Sequence, residues 1–373
     1  MYTAADRQYM ARALVLAQMG MFSTTPNPRV GCVIVKDDDV VGEGWHRRTG
    51  EPHAEALALA QAGERARGAI VYVTLEPCAH HGRTPPCADL LVEAGVERVI
   101  AAMEDPNPLV NGRGLERLRA AGIDVRCGLM GQEAGELNVG FVSRMTRGRP
   151  WVRVKLAASL DGRSALSDGR SKWITGERAR ADGHRWRARA CAILTGIGTV
   201  KADNPALTVR SVETTRQPAH VLIDSRLEIN PAAEILRRPG AIVYHALGRS
   251  GPERERLMRL EDVGCDLVAL PDANAKVDLA AACIDLARRE FNEIHVEAGY
   301  KLNGSLFRAG CVDELLLYVA PALLGGGQPM FDLPEVCDLD ARHGLEWIDS
   351  ELVGPDLRLR ARIAGRGPDS AGS

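Results

Sequence analysis

Three features are scarce or absent in this chain of 373 residues: aromatic side chains, an excess of either charge, and long hydrophobic runs. Aromatic residues make up only 4% of the chain, which argues against a platform for stacking nucleic-acid bases. The 47 basic and 49 acidic residues give a net charge of −2, whereas a nucleic-acid binder usually has a basic excess. No run approaches the roughly 18 apolar residues that a membrane helix needs. These absences favour a small-molecule enzyme.

The N-terminal stretch favours an amphipathic helix over a secretory signal. The N-terminal stretch MYTAADRQYMARALVLAQMG interleaves charges with a short apolar run, which predicts an amphipathic helix from Asp6 to Gly20. Nine cysteines, an odd number spread over a long chain, indicate a reducing compartment where thiols stay free or bind metal. We therefore expect a soluble cytoplasmic protein. Cysteines outside the motif described below, such as Cys32 and Cys191, are expected in the core.

The first segment, up to about residue 146, alternates predicted helices and strands. The stretch at 50–63 predicts a helix that Pro52 opens and Gly63 closes. A β-branched strand follows at 69–77, and a further helix at 86–95. Other strands are predicted in VGCVIV, VERVIAAMEDP and IDVRCG, and another helix in GLERLRAAG. This alternation predicts a mainly parallel sheet with helices on both faces.

The Gly/Arg/Pro-rich stretch at 144–151 marks the boundary with a second α/β segment. The length of the chain suggests two or three domains. We place a first domain at 1–146, a second at 150–365 and a disordered tail at 366–373. Strands of the second domain are predicted in VRVKLAAS, ACAILTG, AHVLIDS, GAIVYHA, EIHVEAG and ELLLYVAPALLG.

His53-Ala-Glu55 and Pro77-Cys78 match the two halves of the zinc deaminase signature, and Cys87 supplies a third ligand. Two thiolates and one imidazole leave the fourth tetrahedral position for water, as in a catalytic zinc site. Zinc lowers the pKa of bound water from about 15.7 to roughly 7, and Glu55 could carry its proton to the substrate. At the predicted helix start, unpaired N–H groups favour the thiolate of Cys87. The motif predicts hydrolytic deamination of a heterocyclic amine.

The cysteine spacing departs from the common P-C-x-x-C pattern, because AHHGRTPP separates Cys78 from Cys87. The longer loop suggests an insert that touches substrate, with donors for a polar or phosphorylated group at His80, His81, Arg83 and Thr84. The two histidines are also rival metal ligands. His46 is either a loop histidine or a substrate contact.

Two other classes of protein stay open at this point. A nucleic-acid-editing deaminase would share the zinc chemistry, although it predicts basic and aromatic surfaces. A structural zinc module joined to a binding domain would close the fourth zinc position with protein and leave Glu55 without a role.

The second half lacks the G-x-G-x-x-G fingerprint of an ordinary dinucleotide-binding fold. Glycines do cluster in LTGIGT, VEAGYKLNG and LLGGGQ, where they either admit a pyrophosphate or simply cap helices and form turns. Lys155 interrupts an apolar strand, and Glu297 ends another. Because ligands in open α/β sheets bind beyond the carboxyl ends of strands, both charges are candidates for a site.

The motifs together resemble the bacterial bifunctional riboflavin-biosynthesis family. In the first half they are TTPNPRVGCVIV, GEPHAEALAL, YVTLEPCAHHGRTPPCADLL and EDPNPLVNGRGL. In the second half they are VKLAASLDGRSA, SKWITGERAR, AILTGIGTVKADNPALTVR, VLIDSR, VEAGYKLNGSLF and APALLGGG. The resemblance runs from about residue 6 to 360 and includes the long loop between the cysteines.

The resemblance implies an α/β protein with a cytidine-deaminase-like three-layer domain followed by a dihydrofolate-reductase-like domain. The first would use Zn²⁺ to deaminate a diaminopyrimidinone ribosyl phosphate, with His53, Cys78 and Cys87 as ligands and Glu55 as proton carrier. The second would reduce the ribosyl group to a ribityl chain with NADPH. The family also implies a homo-oligomer joined through the reductase half.

Carried over by position, the resemblance implies contact residues in the second half. Those for NADPH are Ala157, Trp173, Thr199, Asp203, Ser225, Gly299, Tyr300, Lys301, Leu302, Asn303, Gly304 and Ser305. Those for the substrate are Ser171, Arg187, Leu207, Arg210 and Glu297. The two arginines suit a phosphate clamp, although each could equally form a surface ion pair. Lys155 is the candidate for orienting or protonating the opened sugar.

Overall fold

The computed structural model describes residues 1–79, 86–248 and 253–367, and the chain divides into two compact units. The first unit runs from Met1 to Gly148, and the second begins at Arg149. Within the described residues, no helix combines the length and the apolar character that crossing a membrane requires. The predicted substrate donors His80, His81, Arg83 and Thr84 lie outside the described residues.

The first unit consists of six helices and five strands within its described part. The helices are α1 (Ala4–Gln18), α2 (Ala54–Ala62), α3 (Cys87–Ala94), α4 (Arg113–Ala120), α5 (Gly131–Leu137) and α6 (Val139–Arg147). The strands are β1 (Gly31–Lys36), β2 (Asp39–Trp45), β3 (Ile70–Val73), β4 (Arg98–Ala101) and β5 (Asp124–Cys127).

The five strands form one mixed sheet in the order β2-β1-β3-β4-β5. The β3, β4 and β5 strands run parallel, but β1 pairs antiparallel with both β2 and β3. The prediction of a mainly parallel sheet is therefore wrong for this edge. Asp37 and Asp38 both have positive φ, 51° and 65°, and close a two-residue hairpin between β1 and β2.

Local sequence signals explain where the helices of the first unit begin and end. Thr3 and Asp6 form a capping box at the start of α1. Gly63 ends α2 with a φ of 56°, and Gly95 ends α3 in the left-handed region with a φ of 68°. The Gly63 end was predicted, and the helix predicted at 86–95 also ends at this second glycine. The starts of α1 to α4 match the prediction to within four residues, whereas α5 and α6 were not predicted.

Alternate residues of β1 belong to two separate core clusters, because successive side chains point to opposite faces. Cys32 and Ile34 pack with residues of α2, α3 and α4, whereas Val33 and Val35 pack with residues of α1 and α5. Helices thus cover both faces of the sheet. This arrangement confirms the predicted three-layer α/β fold.

The second unit has five helices and eleven strands within its described part. The helices are α7 (Glu177–Arg189), α8 (Ile197–Asp203), α9 (Glu253–Asp262), α10 (Leu279–Arg288) and α11 (Tyr300–Arg308). The strands are β6 (Trp151–Ser159), β7 (Arg163–Leu166), β8 (Ala192–Gly196), β9 (Ala219–Ile223), β10 (Ile242–His245), β11 (Asp266–Ala269), β12 (Glu293–Val296), β13 (Glu314–Ala320), β14 (Gly327–Pro329), β15 (Leu345–Val353) and β16 (Asp356–Ile363).

Nine of these strands form one sheet in the order β11-β10-β9-β8-β12-β6-β13-β16-β15. The seven strands from β11 to β13 are parallel, and β16 and β15 add antiparallel at one edge. Continuous apolar runs suit strands that helices cover on both sides, which is why six of the parallel strands were predictable. The carboxyl ends of these strands meet at one edge of the sheet.

Two sequence-based expectations for the chain need correction, and one hairpin was missed. Cys337 is exposed rather than buried, because it lies in an extended segment between β14 and β15. Arg366, assigned to the tail, donates hydrogen bonds to the carbonyl groups of Gly310 and Val312. The β15–β16 hairpin was not predicted, since most residues of β15 are exposed and give no apolar alternation. The remaining tail at 368–373 lies outside the described residues.

Candidate active sites

Three predicted metal ligands converge in the first unit at the N-terminal ends of two helices. His53 caps α2, Cys87 is the first residue of α3, and Cys78 follows β3. The Sγ atoms of Cys87 and Cys78 lie 3.3 and 3.7 Å from Nδ1 of His53. Ligand atoms of tetrahedral zinc lie about 3.6 Å apart, given bond lengths of about 2.3 Å to sulfur and 2.0 Å to nitrogen. The three residues therefore fit a zinc ion.

Hydrogen bonding within this cluster favours the thiolate of Cys78. The predicted thiolate of Cys87 is not favoured, because its hydrogen bond to Cys78 and its burial raise the pKa of Cys87. The backbone N–H of Cys87 donates to Sγ of Cys78 over 3.3 Å. Hydrogen bonding from the Cys87 side chain is the main cause that lowers the pKa of Cys78. Within the described part of the chain, His53, Cys78 and Cys87 are the residues whose ligand atoms lie close enough together to bind one metal ion.

Glu55 lies in the first turn of α2, two residues beyond His53, and only 3% of it is exposed. Burial raises the pKa of Glu55 to about 7, and the neighbouring His53 partly opposes this shift. The side chain of Cys87 also hydrogen-bonds to Glu55, which places this carboxyl group beside the ligand cluster. A carboxyl group with a pKa near neutrality can both accept and release a proton.

His46 lies next to the metal ligands, with its ring centroid 5.3 Å from that of His53 in an edge-to-face arrangement. Its Nδ1 lies 3.3 Å from the carbonyl oxygen of Pro52, and its Nε2 lies 3.0 Å from the amide nitrogen of Asn27. Because the Pro52 oxygen can only accept, Nδ1 carries the proton and Nε2 accepts from Asn27. Sequence analysis did not single out Asn27, although it stands in the TTPNPRV motif.

Glu76 is a second buried acid that sequence analysis passed over, and it supports the loop that carries Cys78. Its carboxylate accepts hydrogen bonds from the backbone N–H groups of Asp105, Gly112 and Gly114, at 3.0, 2.8 and 2.7 Å. A Cβ on Gly114 would lie 1.9 Å from the carbonyl oxygen of Pro77, so only glycine fits there. The segment before α4 is thereby fixed against the strand end that precedes Cys78.

The second unit contains a cavity of about 1790 Å³ at the carboxyl ends of its parallel strands. Its lining includes the middle of β6, the ends of β8 and β9, the residues after β12 and the first turns of α8 and α11. Ligand pockets for drug-sized molecules usually measure about 300–1,000 Å³. The cavity is therefore large enough for a dinucleotide and a second ligand together.

The two charged residues predicted from strand patterns come together in this cavity. Val154 on β6 pairs with Val296 on β12, and Lys155 and Glu297 are the next residues along the two chains. Both line the cavity. Arg187, on α7, binds both carboxylate oxygens of Glu297 through Nε and Nη2, the latter at 2.8 Å, and its Nη1 donates to the Thr208 carbonyl. The structure thus brings together three residues from distant parts of the chain.

Electrostatics in this group set the charge of each member. Burial by itself would raise the pKa of Glu297, but Arg187 holds it well below its ordinary value. Burial lowers the pKa of Lys155, an effect that Glu297 partly opposes. The guanidinium of Arg187 is therefore paired with Glu297. Of the two arginines in the predicted phosphate clamp, Arg210 is the one whose guanidinium forms no hydrogen bond with the described residues.

The predicted NADPH contacts line the cavity with one exception, Gly304. A Cβ on Gly304 would lie 2.1 Å from the carbonyl oxygen of Asp332, so this glycine serves helix packing. Gly196 and Gly299 are the N-caps of α8 and α11, and both line the cavity. These two glycines can therefore both cap helices and admit a pyrophosphate, because helix N-termini favour anions.

The predicted substrate contacts Ser171, Leu207 and Arg210 also line the cavity. Leu207 is buried and has a φ of 48°, an unusual backbone for a branched residue. His184, which sequence analysis did not consider, joins the same lining one helical turn before Arg187. Its three-residue spacing from Arg187 was the only signal that the sequence offered.

Comparison with known proteins assigns each half of the chain. Residues 3–103 match the family described as the cytidine and deoxycytidylate deaminase zinc-binding region. Residues 150–357 match the RibD C-terminal domain. Fold and site together therefore define a zinc-binding deaminase domain joined to a RibD-type reductase domain.

Full-length relatives have the same two-part organisation. The riboflavin biosynthesis protein RibD of Escherichia coli strain K12 is 48% identical over 95% of this chain and 98% of its own length. The RibD protein of Haemophilus influenzae is 44% identical over 96% and 97%. The solved structure of Acinetobacter baumannii RibD, form 1, has a TM-score of 0.88 at 42% identity and covers 96% of this chain and 98% of that one.

A Thermotoga maritima structure described as a diaminohydroxyphosphoribosylaminopyrimidine deaminase and 5-amino-6-(5-phosphoribosylamino)uracil reductase has a TM-score of 0.85 at 32% identity, covering 96% of this chain and 99% of that one. The chain belongs to the RibD family of riboflavin biosynthesis proteins. It is a bifunctional enzyme, a deaminase and a reductase. The alternative of a nucleic-acid-editing deaminase is not favoured.

Proposed function

We propose that the first unit hydrolytically deaminates 2,5-diamino-6-(ribosylamino)pyrimidin-4-one 5′-phosphate. The observation that carries this proposal is the convergence of His53, Cys78 and Cys87 beside the buried Glu55. Zinc bound by the three ligands would supply a Lewis acid and lower the pKa of a water molecule to about 7. The name of the Thermotoga relative supports the choice of substrate.

Glu55 is the proton carrier in this proposal. Its carboxylate takes one proton from the attacking water and delivers it to the ring nitrogen. It then takes the second proton from the new hydroxyl group and delivers it to the amine, which leaves as ammonia while the C=O bond forms. Burial keeps competing water away from the carboxyl group and adjusts its pKa toward neutrality. His46 lies on the same side of the site as His53, and Asn27 holds its ring in one orientation.

We further propose that the second unit reduces the ribosyl group to a ribityl chain. The ribosylamine first opens to an imine as its ring oxygen gains the proton from nitrogen. NADPH would supply a hydride to the sugar carbon. Lys155 then donates a proton to the nitrogen, so that atoms and charges balance. The lowered pKa of Lys155 makes its ammonium group a better proton donor.

Location in the cavity supports the contact residues for NADPH and substrate. For the cofactor these are Ala157, Trp173, Thr199, Asp203 and Ser225, together with 299–303 and Ser305. The N-termini of α8 and α11 suit the pyrophosphate. Ser171, Leu207, Arg210 and the Arg187–Glu297 pair would contact the pyrimidine ribosyl phosphate.

Three further proposals concern the whole protein. Domain limits at 1–146 and 150–365 agree with the division of the chain between Gly148 and Arg149. A cytoplasmic location is supported by nine cysteines that all remain unpaired. The chain would form a homo-oligomer through the reductase domain, where the edge strand β15 carries the exposed Trp347.

The experiment that tests the proposed function is mass spectrometry of products from the diaminopyrimidinone ribosyl phosphate, with zinc-loaded protein and with or without NADPH. Without NADPH, we expect exchange of one amine for a carbonyl oxygen. With NADPH, we expect the further gain of two hydrogen atoms. An unchanged substrate mass under both conditions would overturn the substrate assignment.

A further inference from the structure

His184 occupies a distinctive position in the reductase cavity. It lies on α7 and lines the cavity, although its side chain and backbone together are only 9% exposed. Arg187 follows it by three residues on the same face of the helix. The ring is thus held by the protein at the edge of the space where the substrate is proposed to bind.

The hydrogen bond on one side of the ring fixes its tautomer. The backbone N–H of Arg210 donates to Nδ1 of His184 over 3.3 Å, so Nδ1 carries no proton. Burial, together with the positive charges of Arg187 and Arg210, lowers the pKa of His184 to about 4. At neutral pH the ring is therefore uncharged, with its single N–H at Nε2.

That Nε2–H group has no protein partner among the described residues. Nε2 of His220 and Nε2 of His295 are unpartnered and sealed from solvent, but Nε2 of His184 is not sealed in this way. Since Nε2 is neither hydrogen-bonded nor sealed from solvent, its donor is open to the cavity that His184 lines.

The charged groups around His184 match an anion better than a neutral ligand. The carboxylate of Glu297 is neutralised by Arg187. The guanidinium of Arg210 forms no recorded bond within the described chain, and its backbone is the group that holds His184. A phosphate dianion offers several acceptor oxygens and binds best where charged and neutral N–H donors converge.

We propose that Nε2–H of His184 donates a hydrogen bond to the 5′-phosphate of the reductase substrate, beside the guanidinium of Arg210. The inference rests on the proposed reductase function and adds a phosphate-binding residue to it. His184 would act through binding, and the chemical step would not depend on it.

The test compares two substitutions, each of which replaces one of the two ring nitrogens of His184. In His184→Asn the side-chain oxygen can still accept from the Arg210 N–H, but the donor to the cavity is lost. In His184→Gln the amide NH₂ reaches the position of Nε2. For 5-amino-6-(5-phosphoribosylamino)uracil we expect His184→Asn to raise KM about 10- to 100-fold with little change in kcat, as the loss of a hydrogen bond to a charged group implies. We expect His184→Gln to stay within a few-fold of the unchanged protein.

Dephosphorylated riboside supplies the control for a structural effect. The kcat/KM values of His184→Asn and unchanged protein should converge on this substrate, because the phosphate is missing. An equal loss on both substrates would overturn the proposal and assign His184 to structural support of Arg210. Deaminase turnover by the same samples should be unchanged, which verifies correct folding and concentration.

Calorimetry with ribose 5-phosphate separates failure of this inference from failure of the proposed function. Weaker binding to His184→Asn than to unchanged protein, by about tenfold or more, supports the phosphate contact whichever pyrimidine is reduced. If unchanged protein reduces no pyrimidine riboside yet shows this difference, only the reductase substrate is wrong. Equal binding to both proteins would overturn the phosphate contact.

Discussion

The substitution Glu55→Gln separates the two activities of the chain and tests the proton-carrier role directly. Glutamine has nearly the same shape as glutamate, so it can fill the buried position in α2 where only 3% of Glu55 is exposed. It cannot carry a proton between water and amine. His53, Cys78 and Cys87 remain in place, and zinc binding should persist.

The expected loss follows from the chemistry of this position. General acid–base catalysis contributes about 10²- to 10⁴-fold to rate. We therefore expect deaminase kcat to fall by about that factor, which corresponds to about 3–5 kcal/mol of activation free energy. Because the substitution also removes a buried ionisable group, the free energy of unfolding should not decrease.

Three measurements on one sample check this prediction: deaminase kcat, zinc content per chain and NADPH-dependent reductase rate. The matched control is Glu64→Gln, which changes an exposed glutamate of the same unit just beyond α2. Retention of more than a tenth of the deaminase kcat by the zinc-loaded Glu55→Gln variant would refute the proton-carrier role. Loss of zinc would show instead that Glu55 maintains the metal site.

Three more substitutions test the two sites and their electrostatics. Cys78→Ser should reduce bound zinc from about one ion per chain to less than a tenth and abolish deamination, with reductase turnover as the control; zinc retention would contradict the ligand assignment. Arg187→Met removes the arginine that binds both oxygens of Glu297 and should lower the free energy of unfolding by about 3 kcal/mol in urea titrations; an unchanged midpoint would refute the importance of this pair. Lys155→Met should lower reductase kcat/KM about 100-fold. The pKa of Lys155 in the folded chain lies below its ordinary value of 10.5, so between the folded and unfolded pKa values the unfolded chain binds more protons. The free energy of unfolding should therefore rise with pH in this range. Lys155→Met should flatten this rise, and an unaltered pH profile would contradict the lowered pKa.

The fold was predictable wherever a segment had a strong local pattern. The apolar strands β3, β8 and β13 are buried by helices, so their sequences are nearly continuous apolar runs. Strand β2 was missed because two of its buried positions are glycines, Gly42 and Gly44, which give no apolar pattern. Strand β15 was missed because it lies at the edge of the sheet, pairs only with β16 and is mostly exposed. Its residues therefore need not be apolar.

The metal cluster shows how much chemistry short motifs carry. His53 and Glu55 are two residues apart at a helix start, and Cys87 begins another helix, so their residue types and local positions were evident from the sequence. The folded chain decided that all three lie beside Cys78, at distances that suit one ion. Local turn geometry restricts direction, whereas only packing of helices on the sheet fixes distance.

By itself the sequence determined the strand-and-helix alternation, the glycine-terminated helices and the candidate ligands, because each depends on neighbours within a few residues. Tertiary structure alone decided that Arg187 pairs with Glu297, 110 positions away, and that the Arg210 backbone sets the tautomer of His184. These contacts depend on helix α7 packing against the sheet beside β12 and β13. No periodicity in the chain encodes such a meeting, since the energy of an ion pair or hydrogen bond depends on distances that only the assembled sheet establishes.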